Sequence, residues 1–206
     1  MPHDLENILI YHITDVANLP GILAEGGLQS DAVMVKRNPE IIGYDHIKKR
    51  RLKEIPVLCC EWRRVGEFVP FYFCPRSPML FTINKGNTGR PAGCQKSIVH
   101  LVSTMAAGIA TGKAWAVSSG NAGAYHTTFS AKLDALDALD WAAIRATQWQ
   151  GMQHQKSAEL LVADSFPWTA IKEIGCQNST TADKVRLVLA DAAHRPAVAI
   201  KTNWYY

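Results

Sequence analysis

The sequence predicts an α+β domain built on a split, mostly antiparallel sheet, and three observations carry that prediction. Short segments rich in β-branched and aromatic residues dominate both halves of the chain, with helical patterns scattered between them rather than in regular strand–helix alternation. At 206 residues the chain suits one well-cored domain and is short for two, so residues 1–206 are read as a single domain. The composition is globular, with 48% hydrophobic and 19% charged residues.

Taken in order, "ILIYHIT" (8–14) reads as a strand. Thr14 or Asp15 can cap a short helix through "VANLPGILAEGG", where Val16, Leu19, Ile22 and Leu23 share a face and Gly26 with Gly27 stop it. Residues 29–43 read as irregular, and "YDHIKKRRLKEI" as a basic helix ending before Pro56. "EFVPFYFCPRSPMLFTI" gathers aromatic residues around three prolines; proline is unsuited to the middle of a sheet, so this stretch is expected as edge strand or ordered loop, with "MLFTI" a strand. A glycine-rich turn (84–96) leads to the strand "SIVHLVS". "WAVSSGNAGAYHTTF" starts as a strand and becomes a loop, and "KLDALDALDWAAIRATQWQ" reads as helical, with Asp134, Asp137 and Asp140 as caps and a solvated face. The strand after Glu159, a turn at "SFPW", the strand "AIKEIGC", the helix "TADKVRLVLADAA" and a final strand "AVAIKTNWYY" complete the chain.

Several function classes are set aside. No apolar run approaches the ~20 residues that cross a bilayer, and the N-terminus lacks the basic region and long apolar core of a signal peptide, so a cytoplasmic protein without a membrane partner is expected. Five cysteines without a C-x-x-C pair argue for reduced thiols, and seven histidines without H-x-x-x-H spacing argue against a metal site. No G-x-G-x-x-G, P-loop or G-x-S-x-G motif occurs. Net charge is +4, but Lys48, Lys49, Arg50, Arg51 and Lys53 fall within six residues, with Arg63 and Arg64 following; this is either a polyanion-binding surface or a solvated helix face.

One carboxylate is out of place. In "QKSAELLVADSFPW" (155–168), Glu159 immediately precedes the apolar run Leu160–Ala163. A carboxylate drawn into a partly dry setting must be paired, protonated or in use.

Six segments share their order with one family. "YHITDVANLPGIL" with "GGL" (11–28), "IGYDHIKKRR" (42–51), "FVPFYFCPRSPML" (68–80), "LDWAAI" (139–144), "AELLVADSFPW" (158–168) and "WYY" (204–206) together make the chain resemble DarT, the toxin of DarT/DarG toxin–antitoxin pairs. The resemblance implies an ADP-ribosyltransferase-like split sheet with flanking helices, and transfer of ADP-ribose from NAD to a base of single-stranded DNA, which blocks replication. It implies NAD contacts from His12, Ile13 and Thr14, with Gly21 and Gln29 bordering the site.

By the same resemblance, Glu159 holds the ribose 2″-hydroxyl and stabilises the oxocarbenium-like ribose, with Arg51 as its catalytic partner and a contact to the NAD pyrophosphate. Lys48, Lys49 and Arg50 are then candidate DNA-phosphate contacts. Asn121, Tyr125 and His126, in the loop region before Glu159, are candidates for reading an unpaired base. The implied partners are single-stranded DNA, NAD and a DarG-type antitoxin. Family members carry F-T-D-x-H-A where this chain has "VSSGNA" (117–122), so the base is left as thymidine or guanosine. Two other readings stand beside this one: a non-enzymatic module that binds single-stranded nucleic acid, and a transferase acting on RNA or protein.

Overall fold

The computed structural model of the protein describes residues 4–34 and 45–206. In chain order its elements are β1 (Leu9–Asp15), α1 (Leu19–Ala24), β2 (Gly27–Gln29), α2 (Asp31–Met34), α3 (Asp45–Lys53), β3 (Pro56–Val57), β4 (Arg63–Arg64), β5 (Phe68–Tyr72), α4 (Pro78–Asn84) and β6 (Ile98–Thr104). They continue with α5 (Met105–Ala110), β7 (Trp115–Asn121), β8 (Phe129–Ser130), α6 (Trp141–Arg145), α7 (Gln153–Lys156), β9 (Ala158–Ala163), β10 (Ser165–Pro167), β11 (Glu173–Cys176), α8 (Ser179–Val188) and β12 (Ala197–Ile200). Eight strands form one sheet in the order β12-β11-β6-β1-β5-β9-β7-β8, antiparallel throughout except at the β11–β12 edge. Two short ribbons, β10–β2 and β3–β4, stand beside it.

The split lies between β1 and β5. β1 pairs with β6 at every position from Leu9↔Thr104 to Asp15↔Ile98, yet meets β5 only at Tyr11↔Tyr72. β5 instead follows β9 from Phe68↔Ala163 to Tyr72↔Glu159. Beyond the Tyr11–Tyr72 pair the sheet parts, and the edges of both strands face the opening.

Pro70 explains how the opening is tolerated and corrects the reading of 68–72 as edge strand or loop: β5 is a central strand. The Pro70 carbonyl accepts a hydrogen bond from His12 Nδ1 at 2.9 Å. In an antiparallel strand the N–H and C=O of one residue point to the same side, so the N–H that proline lacks would have faced β1, and the β9 ladder loses nothing.

Other expectations are also corrected. "MLFTI" is helix α4, because Ser77 accepts from Leu80 N at 3.2 Å as N-cap and Pro78 takes the first helical position. The helix expected over 132–150 is broken into a 3-10 turn (Leu133–Leu136) and α6, since Asp140 starts a new helix by accepting from Ala143 N at 2.8 Å. "SFPW" contains strand β10, and residues 31–34 are helical, while the rest of the segment expected to be irregular falls largely outside the described residues. α5, capped by Thr104, lacked a sequence reading.

Every residue of β6 and β9 is buried. The main core joins Ile10, Phe71, Leu101, Leu160 and Phe166 on one sheet face, each such side chain contributing ~1.5–3 kcal/mol by burial. The other face of β1 carries Ile13, packed with Leu80, Ile83 and Tyr205. His100 is buried in that layer, with Nε2 2.9 Å from the Pro75 carbonyl and Nδ1 3.2 Å from Tyr205 Oη. The cysteines are free thiols, with Cys60, Cys74 and Cys176 buried.

Candidate active site

Glu159 is 1% exposed, and two oxygens of that carboxylate meet the Arg51 guanidinium as a fork: Nη1 to Oε1 at 3.2 Å and Nη2 to Oε2 at 2.9 Å. Neither element could bury its charge alone, because an ion taken out of water unpaired costs several kcal/mol. Burial by itself would lower the Arg51 pKa, but the charge and hydrogen bonds of Glu159 raise it, so the guanidinium stays protonated. α3 can bring Arg51 this close because residue 66 is glycine: a Cβ there would lie 2.7 Å from Leu52 Cδ2.

A third donor comes from a bulge in β7. Between the pairs Val117↔Leu160 and Asn121↔Ala158, four steps of β7 span two of β9. Ser118 holds the irregularity, its Oγ accepting from Glu159 N at 2.8 Å and donating to Gly120 O at 2.6 Å. The extra chain delivers the Ala122 N–H to Glu159 Oε1 at 3.1 Å. Bulges beside reacting centres re-aim backbone in this way.

Glu159 also faces Tyr72, its register partner on β5. Burial, reinforced by the Glu159 charge, pushes the Tyr72 phenol up, so it is a hydrogen-bond donor near neutral pH. His12 stands across the opening on β1, its ring against Phe71 at 5.7 Å between centroids. A carbonyl can only accept, so the bond to Pro70 fixes the proton on Nδ1 and leaves Nε2 with a lone pair. Burial lowers the His12 pKa and the Arg51 charge adds to this, against the Pro70 hydrogen bond and the charges of Asp31 and Glu159; the ring is neutral near pH 7.

The structure therefore gathers Glu159, Arg51 and His12, and adds Tyr72, Asp31, Ser118 and the Ala122 amide. Register opposite Glu159 could have flagged Tyr72. Nothing in the sequence flags a backbone N–H or an acid contributed by a four-residue helix.

The remaining sequence candidates lie elsewhere around this centre. The Ile13 side chain packs with Leu80, Ile83 and Tyr205 in the layer against which Tyr72 also lies, and the Thr14 hydroxyl accepts from Asn18 Nδ2 at 3.1 Å. Gly21 is exposed on α1 with open space around it. Gln29 lines a cavity of about 190 Å³ with Gly27, Lys113 and Ser165 that shares no residue with the Glu159 cluster.

Lys48 pairs with Asp31 at 2.9 Å, and Lys49 is exposed. Arg50 lies over the Tyr125 ring at 5.2 Å, and the Tyr125 hydroxyl donates to Glu54. Asn121 turns the loop by accepting from Gly123 N at 2.8 Å. His126 stacks on His154, centroids 4.3 Å apart. Among the described residues no group of three or more His, Cys, Asp or Glu side chains could hold a metal ion.

Comparison with known proteins gives this geometry a context. A family model described as "DarT: ssDNA thymidine ADP-ribosyltransferase" matches residues 11–206. A DNA ADP-ribosyl transferase of Thermus aquaticus is 38% identical over 202 residues, covering 96% of this chain and 89% of the relative. The DarT of Thermus sp. 2.9, solved with ADP-ribosylated single-stranded DNA, superposes with a TM-score of 0.89 at 35% identity over 98% of this chain and 97% of that one. Its complex with NAD+ gives 0.85 at 35% identity, covering 98% of each chain.

Proposed function

This chain belongs to the DarT family, and on that premise we propose how its site works: it is an NAD-dependent ADP-ribosyltransferase that modifies a base of single-stranded DNA, with Glu159 and Arg51 at the reacting centre. The observation that carries the assignment of residues is the buried Arg51–Glu159 fork at the opening of the sheet, completed by the Ala122 amide.

The residues fit the donor substrate. The dinucleotide lies along the open edges of β1 and β5, where His12 Nε2 accepts from a ribose hydroxyl and the backbone of Ile13 and Thr14 is within reach; Gly21 and Gln29 border the more distant part of the path. Cleavage of the bond between nicotinamide and ribose sends its electron pair to nicotinamide, which leaves neutral, while positive charge develops on the ribose. Glu159 stabilises that charge and holds the 2″-hydroxyl. The base nitrogen then bonds to the ribose carbon and acidifies its own proton, so a carboxylate suffices as acceptor. Arg51 orients the carboxylate through both of its terminal nitrogens. Tyr72 supplies a protonated phenol to the same centre.

The DNA lies across α3 and the 121–128 loop, with Lys48, Lys49 and Arg50 near phosphates and Asn121, Tyr125 and His126 near the base. The acceptor is thymidine or guanosine. Modification of replicating DNA makes the protein a cytoplasmic toxin held in check by a DarG-type antitoxin. Among the described residues no helix is long and apolar enough to cross a membrane.

The test is incubation with NAD and a mixed pool of single-stranded oligonucleotides, followed by mass spectrometry of the digested nucleosides. An ADP-ribosylated nucleoside is expected with wild type and not with Glu159→Gln. Binding without product would favour a simple binding module, and label on RNA or protein alone would move the acceptor.

A further inference from the structure

We infer that Trp62, at the tip of the β3–β4 hairpin, is a second base-stacking platform that extends the single-stranded DNA path away from the reacting centre. The inference rests on the DNA-transferase reading and deepens it.

Trp62 is 70% exposed and Leu58, at the other side of the same tip, 57% exposed. No ring, cation or hydrogen-bond contact engages the indole among the described residues. Glu61 and Trp62 both have positive φ, 55° and 62°, a conformation that bulky side chains rarely adopt. Such backbone persists where the surroundings over-determine it. Here Val57↔Arg63 pairing, the Val65 N to Ile55 O bond at 3.0 Å and the Arg63 contacts to Asp164 and Glu67 fix the hairpin. The structure thus holds a large aromatic ring out in solvent on a rigid support.

The position of that ring points to its occupant. Cys60, one turn behind the tip, is buried with Ala122 and packs near Phe129, while its thiol donates to Trp115 O at 3.4 Å. The tip is therefore seated on β7 and β8, the two strands that bracket the 121–128 loop. α3 packs against β4 on the other side. Residues 45–64 carry seven Lys or Arg against three Asp or Glu, of which Lys48, Arg51 and Arg63 are paired with Asp31, Glu159 and Asp164 from outside the segment. Exposed Tyr125, with Arg50 of α3 over its ring, and exposed Trp62, next to the strand β4 that α3 packs against, are thus joined through one basic helix. Aromatic faces interleaved with cations are what a flexible polyanion with unpaired bases requires.

The test compares wild type, Trp62→Ala and Trp62→Phe on a short and a long oligonucleotide carrying the same acceptor base, with Leu187→Ser on the distant helix α8 as an exposed-apolar control. Trp62→Ala should raise KM for the long oligonucleotide by about tenfold, with little effect on the short one or on KM for NAD. Trp62→Phe should restore most of the loss, because a phenyl face still stacks. An unchanged KM for the long oligonucleotide would overturn the inference while leaving the transferase reading intact. Failure of wild type to label any oligonucleotide would overturn both. Loss of co-purification with the antitoxin at unchanged KM for DNA would reassign the tip to a protein partner.

Discussion

The two ends of β9 carry the same chemistry in opposite settings. At its start Arg51 grips Glu159, with the side chains 12% and 1% exposed; just past its end Arg63 grips Asp164 in the same two-nitrogen fork, with the side chains 26% and 58% exposed. The second pair sits in water and adds little, as exposed ion pairs do. The first has lost its hydration, and a buried pair of this kind is frequently no more stable than apolar residues of the same shape. What a buried fork offers is a carboxylate held oriented and dry beside an opening in the sheet. Geometry alone does not separate the two ends; burial and the neighbouring β1–β5 opening do.

The sharpest way to break this contrast is at Glu159. Glu159→Gln should lower the rate of DNA labelling by about 10³-fold, read by quantitative mass spectrometry of the nucleosides. In stability, Glu159→Ala should cost ~3–5 kcal/mol by urea melts because Arg51 is left buried without its counter-charge. The double variant Arg51→Met/Glu159→Leu should recover most of that stability and remain inactive. A double variant as unstable as Glu159→Ala would mean that the pair is structural.

A similar contrast separates the two strand histidines. His100 has partners on both ring nitrogens, whereas among the described residues His12 makes a hydrogen bond only through Nδ1, to Pro70. Burial lowers the His100 pKa from its ordinary 6.5 to about 4, partly opposed by the Pro75 hydrogen bond. Below pH 6.5 the unfolded chain takes up a proton that the folded chain refuses, so stability falls with pH down to about 4 and no further from this group. The loss amounts to about 3 kcal/mol, with His12 adding in the same direction. Urea melts between pH 7 and 4 should show the slope, and His100→Gln should flatten it; an unchanged slope would assign the effect to other groups.

Gly120 probes the bulge that feeds Ala122 to Glu159. A Cβ there would lie 2.2 Å from the His154 imidazole, so Gly120→Ala must push that ring, or the bulge, out of place. We expect a loss of ~1–3 kcal/mol together with reduced labelling, and recovery of both in Gly120→Ala/His154→Ala. If the second substitution restored stability but not labelling, the bulge itself would have shifted away from Glu159.

How much of this was legible before the structure follows from range in sequence. β1, β6, β9 and α8 announce themselves because their residues and caps are contiguous, and the oddity of a carboxylate beside the run Leu160–Ala163 was visible at once. The link from Glu159 to positions 12 and 51 came through resemblance, since nothing local couples them. β5 was misread because proline's cost depends on which side of the strand its missing N–H faces, a tertiary fact. α4 was misread because β-rich composition outweighed a Ser-Pro helix start that was there to be seen. The Ala122 amide depends on a register shift between β7 and β9, which no residue type signals.

The smallest expected effect lies at the exposed end of β9. Asp164 has φ of 62°, which Asn and Asp tolerate better than other non-glycine residues, so Asp164→Asn keeps the backbone and removes the charge. The Arg63 hydrogen bond and charge lower the Asp164 pKa, so whatever the pair contributes is present above the ordinary carboxylate value and lost as pH falls below it. Both partners remain within reach of water, and Arg63 retains its contact to Glu67 and its place over the Phe68 ring. Asp164→Asn should therefore shift urea melts at pH 7 by ~0.2–1 kcal/mol, less in high salt, and leave labelling of a short oligonucleotide unaltered. A loss comparable to that of Glu159→Ala would show that the carboxylate at residue 164 is structurally essential despite its exposure, and burial would no longer be what distinguishes the two forks.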